Sequence, residues 1–173
     1  IASLAPKDVN AVWVDSKKSI AHQKCLLKDA VAIVITPSQL SLELVSHCPD
    51  LQLVQVCSAG TDLLDVRALR ELGIKVANCG DANAVAVAEH TIGLLLSVVR
   101  RIPIHDRLAR QGGWNNSTSK PRFLLQGSTV GLIGFGRIAR CVANRLVPFG
   151  VKLILVYDPF VDAEAIVEDK VKK

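Results

Sequence analysis

The stretch Thr129-Val-Gly-Leu-Ile-Gly-Phe-Gly-Arg-Ile-Ala139 decides the fold. It carries three small residues at the spacing G-x-G-x-x-G/A, after an apolar run and before a helical pattern. This context is typical of the strand, turn and helix that hold a dinucleotide. Gly134 permits a tight turn, and Gly136 lets a pyrophosphate approach the N–H groups at the start of the helix. Ala139 keeps that helix close to the sheet.

A second apolar run ends at Asp158, 22 residues after Gly136. A carboxylate at this position can accept hydrogen bonds from the ribose of adenosine. It would also repel a 2′-phosphate, and Pro159 and Phe160 supply no arginine to reverse that effect, so the sequence favours NAD over NADP. The alternative is a glycine turn that binds nothing, which requires the acid and both flanking strands to be accidental.

Composition excludes several classes of protein. Half of the 173 residues are apolar and 21% are charged, which indicates an α/β protein with a core of parallel strands. The net charge of +5 is scattered in short runs without interleaved aromatic residues, so we expect no nucleic-acid partner. No apolar run is long enough to span a membrane. The five cysteines lack metal-binding spacing, so we expect no metal and a reducing, cytoplasmic location.

Short apolar runs alternate with helical patterns along the first half of the chain, which predicts βαβ units and a parallel sheet. Strands are predicted at residues 9–14, 30–35, 51–56 and 74–77, and helices at 41–47 and 63–72, the second ended by Gly73. The turns that follow these strands are where open α/β sheets bind ligands.

Residues 84–101 form the longest helical pattern, apolar on nearly every face, and we expect it to be buried between two units and ended by Pro103. Residues 105–126 are predicted to be irregular. We place the domain boundary near Ile102, giving domains of residues 1–101 and 102–173.

The second domain is predicted to contain a strand at 129–133, a helix at 137–149 and a strand at 152–156. Ile138, Val142 and Leu146 should face the sheet, Gly150 should end the helix, and another helix should start at Ala163. Only two of about six nucleotide-domain strands are therefore expected. Because the chain starts at Ile1 and contains no methionine, we expect it to be a fragment.

With these motifs placed, the chain resembles the D-isomer-specific 2-hydroxyacid dehydrogenases over nearly its whole length. The resemblance lies in Ser58-Ala-Gly-Thr-Asp62, in Asn83-Ala-Val-Ala-Val-Ala-Glu89 with Leu94-Leu-Leu96, and in the glycine motif with Tyr157-Asp-Pro159. Arg100-Arg-Ile-Pro103 and Gly112-Gly-Trp114 are closest to the glyoxylate and hydroxypyruvate reductases. The resemblance implies a flavodoxin-like substrate domain followed by a truncated Rossmann domain that binds NAD, with a small 2-hydroxy or 2-oxo acid as substrate and a homodimer as assembly.

The resemblance also implies roles for individual residues. Substrate would be bound by Ser58, Ala59 and Gly60 through their backbone N–H groups, and by the amide of Asn83. Cofactor would be bound by Thr61 at the nicotinamide end, by Gly134, Gly136, Arg137 and Ile138 at the pyrophosphate, and by Asp158 at the ribose. For Gly60 and Asn83 the alternative is that each is only a turn residue.

No catalytic residue is expected within the chain, because the arginine, carboxylate and histidine of this family have no match here. Glu89 and His90 are adjacent, but neighbouring helical positions point about 100° apart, so they cannot form an acid/base dyad. We expect His90 to be structural. Two functions remain open: an NAD-dependent oxidoreductase, and an NAD-binding, dimerising regulator of the co-repressor type.

Overall fold

A computed structural model describes residues 6–36, 38–113, 123–162 and 171–172 of the chain. The backbone forms two compact units, residues 1–80 and residues 81–173. The division thus falls after Gly80, ahead of the boundary that the sequence analysis places near Ile102. Within the described residues, no helix combines the length and apolar character needed to cross a membrane.

Unit 1 contains a three-stranded parallel sheet, with one helix before the first strand and one helix between each two consecutive strands. The strands are β1 (Ala32–Ile35), β2 (Leu53–Val56) and β3 (Lys75–Ala77), in the order β1-β2-β3, and the helices are α1 (Ile20–Leu27), α2 (Leu42–Val45) and α3 (Val66–Glu71). Val54 at the centre of β2 is fully buried, with Leu69 of α3 packed in the same cluster. Gly73, with φ of 77°, ends the segment after α3 as predicted.

Unit 2 is a second parallel sheet, in the order β4-β5-β6. Its strands are β4 (Thr129–Ile133), β5 (Leu153–Tyr157) and β6 (Val171–Lys172), and its helices are α4 (Ala84–Val99), α5 (Ile102–Arg110) and α6 (Arg137–Leu146), the last followed by a 3₁₀ turn at Val147–Phe149. Helices α4 and α6 pack on each other. The predicted α/β class with parallel sheets is confirmed in both units.

The start of unit 1 differs from the sequence prediction in two ways. Residues 9–14 form no strand, although their apolar side chains suggested one. Helix α1 was not predicted, because it has no buried residue and no apolar stripe to reveal its period. It is instead started by Ser19, whose hydroxyl accepts a hydrogen bond from the N–H of His22.

The long apolar helix also differs from its prediction. Helix α4 buries only one face, at Ala84, Ala88 and Ile92, while Leu94 and Val98 are more than half exposed. It ends before Pro103, which lies in the first turn of α5 rather than after a helix. Proline suits that position because first-turn N–H groups need no partner within the helix. Residues 105–110 are consequently helical, not irregular.

Two more predictions for unit 2 need correction. Strand β6 pairs in parallel with β5, so the nucleotide-binding motif lies in a sheet of three strands, not two. Val142 and Leu146 are buried as predicted, whereas Ile138 is 39% exposed and does not pack into the core. Gly150, with φ of 71°, ends the helical segment as expected. The helix predicted from Ala163 and the Trp114 motif lie outside the described residues.

Replacing Ile154 with alanine should destabilise unit 2 by about 2–5 kcal/mol, because the side chain is fully buried in β5 and its loss leaves a cavity. Urea denaturation followed by far-ultraviolet circular dichroism measures the effect. Leu155→Ala, one residue on and 45% exposed, is the matched control and should cost about 1 kcal/mol or less. Equal losses in the two variants would contradict the assigned core.

Candidate dinucleotide site and carboxylate loop

The glycine turn of unit 2 connects β4 to α6 and is held against the end of β5. Gly134 has φ of 87°, a left-handed conformation that a side chain would strain. Its N–H donates a hydrogen bond of 2.7 Å to the carbonyl of Tyr157. Since β4 and β5 are parallel, the turn and the residue after Tyr157 lie at the same, carboxyl-terminal edge of the sheet.

That next residue, Asp158, is the single buried charged side chain in the described part of the chain. Its Oδ2 accepts a hydrogen bond of 2.7 Å from the N–H of Phe135, and its Oδ1 accepts one of 2.8 Å from the N–H of Phe160. The carboxylate therefore joins the glycine turn to the loop after β5.

Helix α6 begins at the glycine turn with its first amides uncapped. Gly136 is the N-cap residue, in an extended conformation, and supplies no side-chain bond to the helix. The first N–H groups of a helix lack partners within it and carry the positive end of the helix dipole. Arg137 and Ile138 are exposed there, and a Cβ placed on Gly136 would meet no atom within 4 Å. The turn thus presents an open surface suited to an anion.

Phe135 lies between the two glycines, and its side chain fixes the turn to the core of unit 2. Its side chain is 1% exposed and belongs to the core of unit 2. The guanidinium of Arg140, one turn into α6, lies 4.5 Å from the centre of the Phe135 ring. Such cation–π contacts stabilise the position of both groups. The sequence motif treats Phe135 as a free position, so this role emerges only from packing.

Ser58, Ala59 and Gly60 form a loop after β2 whose carbonyl groups are already used. The carbonyl of Ser58 accepts from the N–H of Cys79 at 3.0 Å, and that of Gly60 accepts from the Ser58 hydroxyl at 2.9 Å. The carbonyl of Ala59 accepts from the side-chain amide of Asn78 at 2.7 Å. Within the described part of the chain, the three N–H groups of this loop have no hydrogen-bond partner.

Asn78 is the residue of this loop that sequence reasoning missed. Its Nδ2 holds Ala59, and its Oδ1 accepts from the N–H of Gly80 at 3.1 Å. Its position just after β3, beside the end of β2, was the available signal, because neighbouring parallel strands end at one edge. Thr61 follows the loop and is half-buried, with its carbonyl bonded to the N–H of Leu64.

Asn83 belongs to unit 2 and precedes α4. It occupies the N-cap position, is exposed, and makes no side-chain cap bond. Its amide is therefore not consumed by the helix that it starts. Glu89 is paired with Arg145 of α6 at 3.3 Å rather than with His90, and His90 is exposed. Among the described residues no cluster of histidine, cysteine and acidic side chains could hold a metal.

The matched family model covers nearly the whole chain. The catalytic-domain model of the D-isomer specific 2-hydroxyacid dehydrogenases matches residues 2–168. The chain belongs to this family. Its glycine turn, Asp158 and the loop at Ser58 are accordingly features of a 2-hydroxyacid dehydrogenase fold.

Individual relatives agree with this assignment. The chain is 35% identical to a D-3-phosphoglycerate dehydrogenase of Methanocaldococcus jannaschii over 80% of its own length and 26% of that protein. It is 41% identical to a glyoxylate/hydroxypyruvate reductase of Arabidopsis thaliana over 62% of its length and 34% of that protein. A D-lactate dehydrogenase from Aquifex aeolicus, solved with NAD and lactic acid, superposes with a TM-score of 0.75 at 29% identity, covering 87% of this chain and 44% of that one. The chain thus spans less than half of the length of each.

Asp158→Ala should destabilise unit 2 by about 1–3 kcal/mol, because the buried N–H of Phe135 loses its partner. Hydrogen exchange of the Phe135 amide should accelerate in the same variant. Asp162→Ala, at an exposed position four residues on, is the control and should change stability by about 0.5 kcal/mol or less. Unchanged exchange at Phe135 would show that the carboxylate does not hold the turn.

Proposed function

We propose that the protein containing this chain is an NAD-dependent oxidoreductase that transfers hydride between the nicotinamide and a small 2-hydroxy or 2-oxo acid. The proposal rests on one observation. The uncapped start of α6 and the Asp158 carboxylate lie at the same edge of the sheet, and the carboxylate is hydrogen-bonded to the glycine turn that leads into α6. A dinucleotide needs both features, an anion site for its pyrophosphate and an acceptor for its ribose.

NAD is the cofactor that these residues suit. Its pyrophosphate would lie against the N–H groups that follow Gly136, beside Arg137 and Ile138. Its adenosine ribose would donate to Asp158, whose charge disfavours the 2′-phosphate of NADP. Exposed apolar surface lies on both sides of the carboxylate, at Tyr157 and Phe160, which are 68% and 94% exposed. Such surface suits a purine ring.

The loop Ser58–Gly60 supports the acid part of the proposal. The carbonyls of the loop are engaged by Asn78, Cys79 and Ser58 itself, and among the described residues its N–H groups have no hydrogen-bond partner. Successive free N–H groups of this kind bind anions such as carboxylate. The side-chain amide of Asn83 would add a polar contact to substrate or cofactor, and Thr61 would lie towards the nicotinamide.

Hydride transfer itself needs groups that we do not assign within residues 1–173. A histidine would exchange the hydroxyl proton, and an arginine would bind the carboxylate at the reacting carbon. Of the four histidines, His47 bonds to the Glu43 carbonyl at 2.8 Å, and His90 has its neighbouring acid engaged by Arg145. We therefore expect the 173-residue chain alone to be inactive. For the whole protein we expect a homodimer, as the family resemblance implies.

Gly136→Val should abolish NAD binding while leaving stability nearly unchanged. A Cβ at Gly136 would meet no atom within 4 Å beyond its chain neighbours, so the fold has room for it, and the methyl groups that it carries would enter the space assigned to the pyrophosphate. Titration calorimetry with NAD measures the affinity, and NADP should bind the unaltered chain at least about tenfold more weakly. Gly131→Val in β4, where a Cβ also meets nothing, is the control. Equal binding by both variants would reject the site.

The reaction is tested on the full-length protein with NADH and each of glyoxylate, hydroxypyruvate and pyruvate, by the loss of NADH absorbance. Turnover with at least one acid is expected, together with loss of turnover in Gly136→Val. Tight NADH binding without turnover on any of them would instead support the NAD-binding regulator. Hydride transfer by the 173-residue chain alone would show that a catalytic group lies within it.

A further inference from the structure

Two cysteines follow adjacent strands at the carboxyl edge of the unit 1 sheet. The last paired residues of β2 and β3 are Gln55 and Ala77. Each is followed two residues later by a cysteine, Cys57 directly after the end of β2 and Cys79 two residues after the end of β3. Both cysteines therefore lie just beyond the carboxyl end of the paired part of the sheet.

Hydrogen bonds keep the two segments together beyond the ladder. The N–H of Cys79 donates to the carbonyl of Ser58, the residue after Cys57, at 3.0 Å. The Cys79 thiol lies 3.4 Å from the carbonyl oxygen of Val56, the residue before Cys57. Cys79 thus contacts both chain neighbours of Cys57. Where the ladder ends, at Gln55 and Ala77, adjacent strands are about 4.8 Å apart, within the Cα separation of about 4.4–6.8 Å that a disulfide spans.

The two thiols are also reduced and accessible. Both cysteines are free and exposed, as is Cys25 in α1, whereas Cys48 is buried. Burial raises the pKa of the Cys48 thiol, so that residue reacts slowly with oxidants and alkylating agents. Exposure together with adjacency therefore distinguishes Cys57 and Cys79 from the other two cysteines of unit 1.

We propose that Cys57 and Cys79 form a reversible intrachain disulfide in response to an oxidised low-molecular-weight thiol such as glutathione disulfide. This modification site is independent of the hydride-transfer function proposed above. The bond would link the segment that carries Ser58–Gly60 to the segment that carries Asn78, which already holds Ala59 by its side chain. Oxidation would thereby fix the loop with the free N–H groups.

The chemistry balances as two exchange steps. The thiolate of one cysteine attacks a sulfur of glutathione disulfide, forming a protein–glutathione mixed disulfide and releasing one glutathione thiolate. The second cysteine thiolate attacks the protein sulfur of that mixed disulfide and releases the other glutathione. Two cysteine thiols are oxidised, one glutathione disulfide is reduced to two thiols, and no proton is consumed overall.

The test uses the 173-residue chain incubated with glutathione disulfide, alkylated to trap free thiols, and digested for peptide mass spectrometry without reduction. The expected product links the peptide containing Cys57 to that containing Cys79, with tandem spectra separating Cys57 from Cys48. Dithiothreitol should reverse it. Cys57→Ser and Cys79→Ser should each lose the linked product completely, and the Cys25→Ser control should retain it in full.

The pairing of cysteines in the unaltered chain is a measurement that does not depend on whether the variants fold. In the unaltered folded chain the Cys57–Cys79 link should predominate, and in urea it should give way to mixed pairings among all five cysteines. Separate glutathione adducts on Cys57 and Cys79 without a link would overturn the proposal. A link that persists in Cys57→Ser would overturn it equally, since it would assign the partner of Cys79 to another cysteine.

Discussion

The hydrogen bond from the Phe135 N–H to the Asp158 carboxylate is the contact on which the candidate cofactor site depends. The turn between β4 and α6 must leave its later N–H groups unpaired if they are to meet an anion, so it needs another means of being held in place. The Asp158 carboxylate after β5 holds the turn by a hydrogen bond, and the buried Phe135 ring holds it by packing into the core of unit 2. One acid therefore holds the turn, and in the proposed site it would also accept from the ligand.

The loop after β2 is also held in place while its own N–H groups stay unpaired among the described residues, but different hydrogen bonds hold it. There the carbonyls are satisfied, by the Asn78 amide, the Cys79 N–H and the Ser58 hydroxyl, and the N–H groups remain available. In both units a polar side chain that follows the adjacent strand holds the turn by a hydrogen bond, Asp158 with the N–H of Phe135 and Asn78 with the carbonyl of Ala59. This arrangement follows from parallel pairing, which brings consecutive carboxyl ends to one edge.

Patterns with a strong local cause were predictable, and those decided by packing were not. Gly134, Gly73 and Gly150 each adopt a positive φ, a backbone conformation that favours glycine and that a glycine at a turn predicts. By contrast, the apolar surface of α4 predicted burial on all sides, yet only the face against α6 is covered in the described structure. Pro103 marked a helix boundary correctly but on the wrong side, because proline is compatible with both the end of one helix and the start of the next.

The sequence by itself determined the α/β class, the positions of most strands along the chain, the position of the dinucleotide motif and the family. These depend on local periodicity and on residues with special backbone properties. Only the tertiary structure decided that Asp158 binds the backbone of its own glycine turn, that Asn78 holds Ala59, that Ile138 faces outward, and that β6 joins the sheet. The physical reason is that each of these contacts joins segments far apart in the chain, or depends on which side of an element is covered, and no local pattern specifies either.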